Sequence, residues 1–128
     1  MKNNRIEEDY LIETPIVNYS NKAVRVFCEK HSRGKSDIER VVSLYYAVRD
    51  YIRYDPYSIE LSIRGLCASS VVETGVGWCV SKAVLFTALC RLINVPASLG
   101  FADVKNHLST TKLREKMGTD VFLWHGYT

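Results

Sequence analysis

Residues 79–93 constrain the fold most strongly, because apolar side chains occupy nearly every side of a predicted helix there instead of one face. The apolar positions are Val80, Ala83, Val84, Leu85, Phe86, Ala88, Leu89, Leu92 and Ile93. A helix that is apolar all round is buried inside a protein. Asn94 predicts its end because asparagine tolerates the left-handed conformation, and Pro96 cannot continue the helix. The rest of the chain is therefore expected to pack around this central helix.

An amphipathic helix is predicted over residues 37–53, where Ser36 and Glu39 have the spacing of a capping box. The apolar positions at helical intervals, expected to face the core, are Ile38, Val41, Val42, Tyr45, Val48 and Ile52. Pro56 ends this helix, since the residue before a proline avoids the helical conformation. A shorter helix is predicted over residues 18–30, after a polar lead-in to which no element is assigned.

The second half of the chain predicts a turn and two strands. A short helix near residues 68–73 precedes the glycine-containing turn 74–77, and strands are predicted over 97–104 and 121–127, with a loop or short helix over 108–116. Helices followed by strands indicate an α+β domain, with the helices on one side of a small antiparallel sheet. Because two strands are too few for a stable sheet, we expect the sheet to be truncated, with its C-terminal strands missing from this sequence.

Composition predicts a single cytoplasmic domain spanning residues 1–128. The 128 residues are 47% apolar, which is enough for one core. The net charge is only +3 and the basic residues are scattered, so no nucleic-acid partner is expected. No apolar run is long enough to cross a membrane, and the polar N-terminus does not resemble a secretory signal. We also expect reduced thiols, because the four cysteines match neither a disulfide framework nor paired zinc knuckles.

Cys79 is the cysteine whose position suggests chemistry. Cys28 follows an apolar run and Cys90 lies inside the apolar helix, so both are expected in the core. Cys79 is at the first turn of the central helix, where unpaired amides and the helix dipole favour a thiolate. Its own amide is also placed to donate to a developing oxyanion after the flexible turn at Gly75 and Gly77. On composition alone, a buried inert thiol is an equally good interpretation.

Three histidines are candidates for the base that a cysteine nucleophile requires. His31 lies in a charged segment and is expected to be solvated. His107 follows the first predicted strand in a polar stretch, whereas His125 lies inside the apolar second strand. A histidine in an apolar strand needs a hydrogen-bond partner or a function. His125 is therefore the favoured base, and His107 is the alternative.

Residues 75–97 resemble the signature of the transglutaminase-like superfamily. The shared pattern is a glycine–aromatic–cysteine turn at Gly77, Trp78 and Cys79, a buried helix that ends near Arg91, and a closing Pro96-Ala before a strand. Upstream, residues 48–56 resemble the helix end that precedes the family's nucleophile. Downstream, residues 125–128 resemble the strand that supplies its histidine. The resemblance covers about residues 40–128.

The resemblance implies a papain-type core and a cysteine hydrolase or acyltransferase that needs no cofactor or metal. Cys79 attacks an amide or peptide carbonyl of a protein or peptide substrate, His125 carries the proton, and water or an amine takes the acyl group. Trp78, Gly77 and Tyr54 are the implied oxyanion or cleft-lining residues. The family's third member, an aspartate on the next strand, has no counterpart before the sequence ends at Thr128. Weak or no turnover is therefore expected of this chain by itself.

Four other hypotheses remain open. The first is that the domain is a catalytically inactive binding or scaffold module, and the second is that Cys28 and His31 contribute to a zinc site. The third is that the C-terminal strand pairs two copies into a homodimer through its free edge. Finally, an aromatic surface forms from the tyrosines of residues 45–57, although their helical spacing favours packing in the core and at its rim. These tyrosines are Tyr45, Tyr46, Tyr51, Tyr54 and Tyr57.

Overall fold

A computed structural model of the protein describes residues 2–105, 111–112, 115 and 121–128. Residues 2–105 form six helices and three short strands, and residues 121–127 form a fourth strand, which confirms the α+β class. The helices are α1 (Lys2–Asp9), α2 (Lys22–His31), α3 (Asp37–Tyr51), α4 (Ile63–Leu66), α5 (Ala68–Thr74) and α6 (Cys79–Leu92). The strands are β1 (Arg53–Tyr54), β2 (Val76–Gly77), β3 (Gly100–Lys105) and β4 (Val121–Tyr127). Most of the segment predicted over 108–116 lies outside the described residues.

The predicted central helix is confirmed as α6, which contacts α2, α3, α5 and β4. Leu85, Ala88 and Leu89 on this helix are 0% exposed. The helix ends where the sequence predicts, because Asn94 takes the left-handed conformation with φ 63°. No helix in the described ranges, α6 included, is both long and apolar enough to cross a bilayer.

The capping box of α3 is confirmed, but its predicted buried face is partly wrong. Ser36 Oγ accepts from the Glu39 amide at 3.2 Å, and the Glu39 carboxylate accepts from the Ser36 amide at 3.1 Å. Ile38, Val42 and Tyr45 are exposed by 77%, 45% and 50%. The residues of α3 that are buried are Leu44, Ala47 and Val48. Leu44 and Ala47 were not among the predicted core positions, because the apolar spacing fitted a neighbouring stripe equally well.

The N-terminal part of the chain differs from the prediction in two places. Helix α2 begins at Lys22, four residues later than predicted, because the Asn21 side chain accepts from the Ala23 amide at 2.9 Å and caps the helix there. Helix α1 lies where no element was predicted. All of its residues except Ile6 are polar, and they include lysine, arginine and glutamate, which favour helix without giving an apolar periodicity.

Two small sheets flank the first turn of α6. Strands β1 and β2 are parallel, with Tyr54 opposite Gly77, and the Asp55 amide donates to the Gly77 carbonyl at 2.9 Å. The prediction of helix through residue 53 is therefore wrong, because this pairing takes the chain out of the helix. Strands β3 and β4 are antiparallel, with Ala102 opposite His125. Strand β4 is as predicted, β3 starts three residues later than predicted, and pairing of two copies through β4 stays a prediction.

We expect Leu89→Ala to lower the free energy of unfolding by about 2–5 kcal/mol, because it opens a cavity on the fully buried helix. Ile38→Ala is the matched control: the sequence pattern assigns Ile38 to the core, but its side chain is 77% exposed. The control should change stability by less than about 0.5 kcal/mol. Urea unfolding followed by circular dichroism measures both variants. Equal losses would contradict the packing described above.

Candidate active site

The turn that presents Cys79 is built by two glycines and a short parallel pairing. Gly75 ends α5 in the left-handed conformation, with φ 67°. Gly77 pairs with Tyr54, and a Cβ on Gly77 would lie 2.9 Å from Ser81 Oγ. The Trp78 amide donates to Ser81 Oγ at 2.9 Å. These contacts make Cys79 the first residue of α6, where the amides of the first turn have no partner within the helix.

Strand β4 reaches the first turn of α6 through Gly126, which is buried against Val80. A Cβ on Gly126 would lie 2.9 Å from Val80 Cα and 3.3 Å from Val80 N, so only glycine permits this approach. The Thr128 hydroxyl donates to the Ala83 carbonyl at 2.9 Å, one turn further along α6. Because Gly126 follows His125 and Val80 follows Cys79, the contact brings the two candidate catalytic residues to the same place.

Cys79, His125 and Tyr54 line one open cleft of about 430 Å³. Cys79 and His125 are partly buried, while Tyr54 is 46% exposed. The other lining residues are Tyr45, Val48, Arg49, Lys82, Ala83, Phe86, Gly126, Tyr127 and Thr128. Trp78 and Gly77 line a neighbouring cavity instead. The alternative base His107 lies outside the described residues. Three of the predicted site residues, Cys79, His125 and Tyr54, therefore meet in this cleft.

Tyr54 is brought beside Cys79 by its pairing with Gly77, two residues before Cys79. Burial and the nearby Cys79 thiol both raise the pKa of the Tyr54 phenol. A phenol with the usual pKa of about 10 is already protonated at neutral pH, and a raised pKa leaves it so, which makes Tyr54 available as a hydrogen-bond donor. Tyr45 also reaches the cleft, where its ring meets that of Phe86 edge-on at 6.0 Å. The tyrosines were predicted in the core and at its rim, and the core part is wrong, because all five are at least 46% exposed. At the rim, Tyr45 packs against Phe86 and Tyr51 against His31.

Lys82 and Phe86 are cleft residues that the sequence reasoning missed. They lie three and seven residues after Cys79, so the helical period places them on the same face of α6 as Cys79. This spacing in the sequence could have identified them. Lys82 Nζ donates to the Ile52 carbonyl at 2.7 Å, which ties the first turn of α6 to the end of α3. Burial lowers the pKa of Lys82, and the nearby Asp50 carboxylate opposes that effect.

The other three cysteines are buried, and Cys79 is the partly exposed one. Burial raises the pKa of Cys28 and raises that of Cys90 to about 12. Cys67 differs, because burial raises its pKa but hydrogen bonds with the Ser69 and Ser70 hydroxyls outweigh burial and lower the pKa overall. Its side chain is nevertheless only 7% exposed, which restricts access to the sulfur.

His31 is not the solvated loop residue that the sequence predicts. It ends α2 and lies between the rings of Phe27 and Tyr51, with centroids 4.4 and 4.5 Å away. Burial, and after it the charges of Lys30 and Arg33, lower its pKa. In the part of the chain that the structure describes, no three histidine, cysteine or acidic side chains come together as a metal-binding group. Cys28 and His31 thus have no third ligand there.

A family model for the transglutaminase-like superfamily matches residues 25–126, most of the chain. The protein belongs to the transglutaminase-like superfamily. This confirms the resemblance drawn from the sequence, and the match begins earlier than residue 40. No curated protein and no solved structure matches the chain.

The arginine in this transglutaminase-like domain's motif has a structural role at the end of α6. Arg91 Nε donates to the Ala97 carbonyl at 2.9 Å, and another guanidinium nitrogen donates to the Ile12 carbonyl at 2.7 Å. These bonds hold the central helix to the segment that leads into β3. The motif's closing Pro96-Ala therefore follows a helix end that Arg91 fixes in place.

We expect Gly126→Ala to lower the free energy of unfolding by about 1–3 kcal/mol, because the added Cβ would overlap the backbone of Val80. Adding Val80→Ala should restore only part of the stability, since it removes the contact with Val80 Cγ2 at 3.0 Å but leaves the closer contact with Val80 Cα at 2.9 Å. Thermal unfolding of the single and double variants measures this. An unchanged melting temperature in Gly126→Ala would contradict the close approach of β4 to α6.

Proposed function

We propose that the protein is a cysteine hydrolase or acyltransferase that cleaves amide or peptide bonds through an acyl-thioester on Cys79. The observation that carries the proposal is the shared cleft of Cys79 and His125 in a transglutaminase-like domain. Cys79 is partly exposed and is the first residue of a buried helix, so a substrate can reach its sulfur from solvent. In the proposal this arrangement is the active half of a papain-like core.

The reaction begins when His125 accepts the proton of the Cys79 thiol. The thiolate attacks the substrate carbonyl carbon, and the carbonyl oxygen becomes an oxyanion. His125 then gives its proton to the leaving nitrogen, the C–N bond breaks, and the acyl group stays on sulfur as a thioester. Water or an amine attacks the thioester, His125 takes the proton of this second nucleophile, and Cys79 is released with the proton returned to it.

Two donors are assigned to the oxyanion. The first is the Cys79 amide, which lies in the first turn of α6 and so has no partner within the helix. The second is the Tyr54 phenol, which lines the same cleft as Cys79 and is protonated at neutral pH, as an ordinary phenol is. Donors fixed before the reaction stabilise the charge that develops in the transition state. In this scheme Gly77 and Trp78 shape the turn that presents the first donor.

A catalytically inactive binding module is the second candidate, and one observation favours it. Among the cleft-lining residues in the described part of the chain, no carboxylate is present to orient His125. In serine enzymes such a carboxylate contributes about four orders of magnitude to turnover. A cysteine–histidine pair depends on it less, because the thiolate is already favoured.

We also propose that the protein works in a reducing, cytoplasmic setting, and its four unpaired thiols support this.

We expect iodoacetamide at pH 7 to alkylate Cys79 at least about tenfold faster than the other three cysteines, because it combines exposure with a helix N-terminus. Cys67 is the informative control, since its pKa is lowered while its side chain is buried. Mass spectrometry of peptides gives the four rates, and His125→Ala should slow the reaction of Cys79 alone. Equal rates at all four sites would refute an activated nucleophile.

We expect Tyr54→Phe to lower kcat for amide cleavage by about 100-fold with little change in KM, because one oxyanion donor is lost. Tyr57→Phe is the matched control: Tyr57 has the same 46% exposure and does not line the cleft. The alkylation rate of Cys79 should be the same in both variants, which shows that the nucleophile is intact. Equal kcat values for the two variants would remove Tyr54 from the oxyanion site.

A further inference from the structure

The cleft of Cys79 and His125 carries two cationic side chains whose role the proposed reaction leaves open. Lys82 and Arg49 both line the cleft. Among its lining residues in the described part of the chain, none is an aspartate or a glutamate. A bound substrate therefore meets positive charge on the cleft wall and no carboxylate.

Lys82 lies close to the proposed nucleophile. It follows Cys79 by three residues on the same face of α6, which separates the two positions by about 4.5 Å along the helix axis. Lys82 Nζ donates to the Ile52 carbonyl at 2.7 Å and to the Arg49 carbonyl at 3.5 Å, both at the end of α3. Within the described residues these two carbonyls are its acceptors. Because an ammonium has three N–H donors, one is left for a ligand.

Arg49 is held in place and still has donors to offer. Its guanidinium carbon lies 4.6 Å from the centre of the Tyr46 ring. Its Nε and Nη2 donate to the Asp50 carboxylate at 2.7 and 3.1 Å. These bonds use two of the five N–H donors of a guanidinium. Three remain for an acceptor in the cleft.

Asp50 does not cancel the charge of the cleft. It is not among the cleft-lining residues, and its side chain is 52% exposed, so its pairing with Arg49 is a weak surface ion pair. The two cations Lys82 and Arg49 against the one carboxylate of Asp50 leave a net charge of +1. This charge favours an anionic group in the cleft and disfavours a further cation. A carboxylate can accept from a guanidinium and an ammonium together.

We propose that Lys82 and Arg49 bind a carboxylate of the substrate, so that the cleft selects peptides with an acidic group beside the scissile amide. The inference rests on the proposed function, because attack by Cys79 fixes where the scissile carbonyl lies. An extended peptide advances about 3.3 Å per residue, so Lys82 is one or two residues away from that carbonyl. The carboxylate is on the side chain of a neighbouring acidic residue, or it is the C-terminal carboxylate of a chain that ends there.

Binding to the Cys79→Ala protein, which cannot turn over, tests the carboxylate directly. The two main probes are acetyl-Ala-Glu-Gln-Glu-Ala-amide and its uncharged isostere acetyl-Ala-Gln-Gln-Gln-Ala-amide. We expect the Kd of the glutamate peptide to be about tenfold lower, as for one hydrogen bond to a charged group. Titrations followed by nitrogen–proton correlation spectra measure Kd values in the millimolar range.

A third peptide, acetyl-Ala-Gln-Gln with a free C-terminal carboxylate, distinguishes the two sources of the anion. A Kd about tenfold below that of the uncharged isostere supports the proposal and identifies the terminal carboxylate as a source. Equal Kd values for all three peptides, or no binding of either acidic peptide, overturn the proposal.

Variants of single cations locate the site. In the Cys79→Ala background, Arg49→Gln and Lys82→Gln should each reduce the preference for the acidic peptide from about tenfold to about threefold or less. Arg53→Gln is the matched control and should keep the full preference. Arg53 is 70% exposed, pairs with Asp55 at 3.8 Å and does not line the cleft. Equal losses in Arg49→Gln and Arg53→Gln would show an effect of overall charge and overturn the site.

Folding and turnover are checked separately from binding. Lys82→Gln changes the bond to the Ile52 carbonyl, so circular dichroism verifies its fold, and Arg49→Gln decides the question if it unfolds. With the wild-type protein, kcat/KM for the acidic peptide should exceed that for the uncharged isostere by about tenfold. If neither peptide is cleaved, the proposed function fails, and the titration of the Cys79→Ala protein still decides whether the cleft binds a carboxylate.

Discussion

The burial of α6 on every side is the constraint on which the other elements depend. Leu85, Ala88 and Leu89 are removed from water entirely, and burial of apolar surface is the main favourable term in folding. Helices α2, α3 and α5 and strand β4 supply the surrounding surface. The same burial explains the position of the proposed nucleophile. Cys79 is the first residue of this helix, so its sulfur is held by a rigid element at the point where the core meets solvent.

The close approach of β4 to α6 brings Cys79 and His125, which are distant in the sequence, to one cleft. Strand β4 contacts the first turn of α6 at the backbone of Val80, and no side chain at residue 126 intervenes. On the other side of this turn, the pairing of β1 with β2 brings Tyr54 to the same end of the helix. Lys82 links that helix end to α3 by donating to the Ile52 carbonyl. The cleft thus lies where three separate segments meet at one helix terminus.

The features that the sequence predicted correctly are those determined by residues close together in the chain. The apolar run predicted α6, the capping box predicted the start of α3, and the position of Cys79 at a helix N-terminus followed directly. Strand β1 was missed because two residues gain their conformation from a partner more than twenty residues away. The stripe of α3 that faces the core was missed because several stripes are apolar, and only tertiary packing selects one. Lys82 and Phe86 were missed although the helical period from Cys79 contains that information.

Helix α3 carries a buried face and a cleft face on consecutive residues. Leu44 and Ala47 are buried in the core, while Tyr45 and Arg49 line the cleft and are largely exposed. Exchanging an exposed side chain alters the stability of a domain little. Residues 45 and 49 are therefore free to diverge among descendants of this chain while the packing beneath them is retained. Substitutions at these two positions can therefore change what the cleft binds while the domain stays folded.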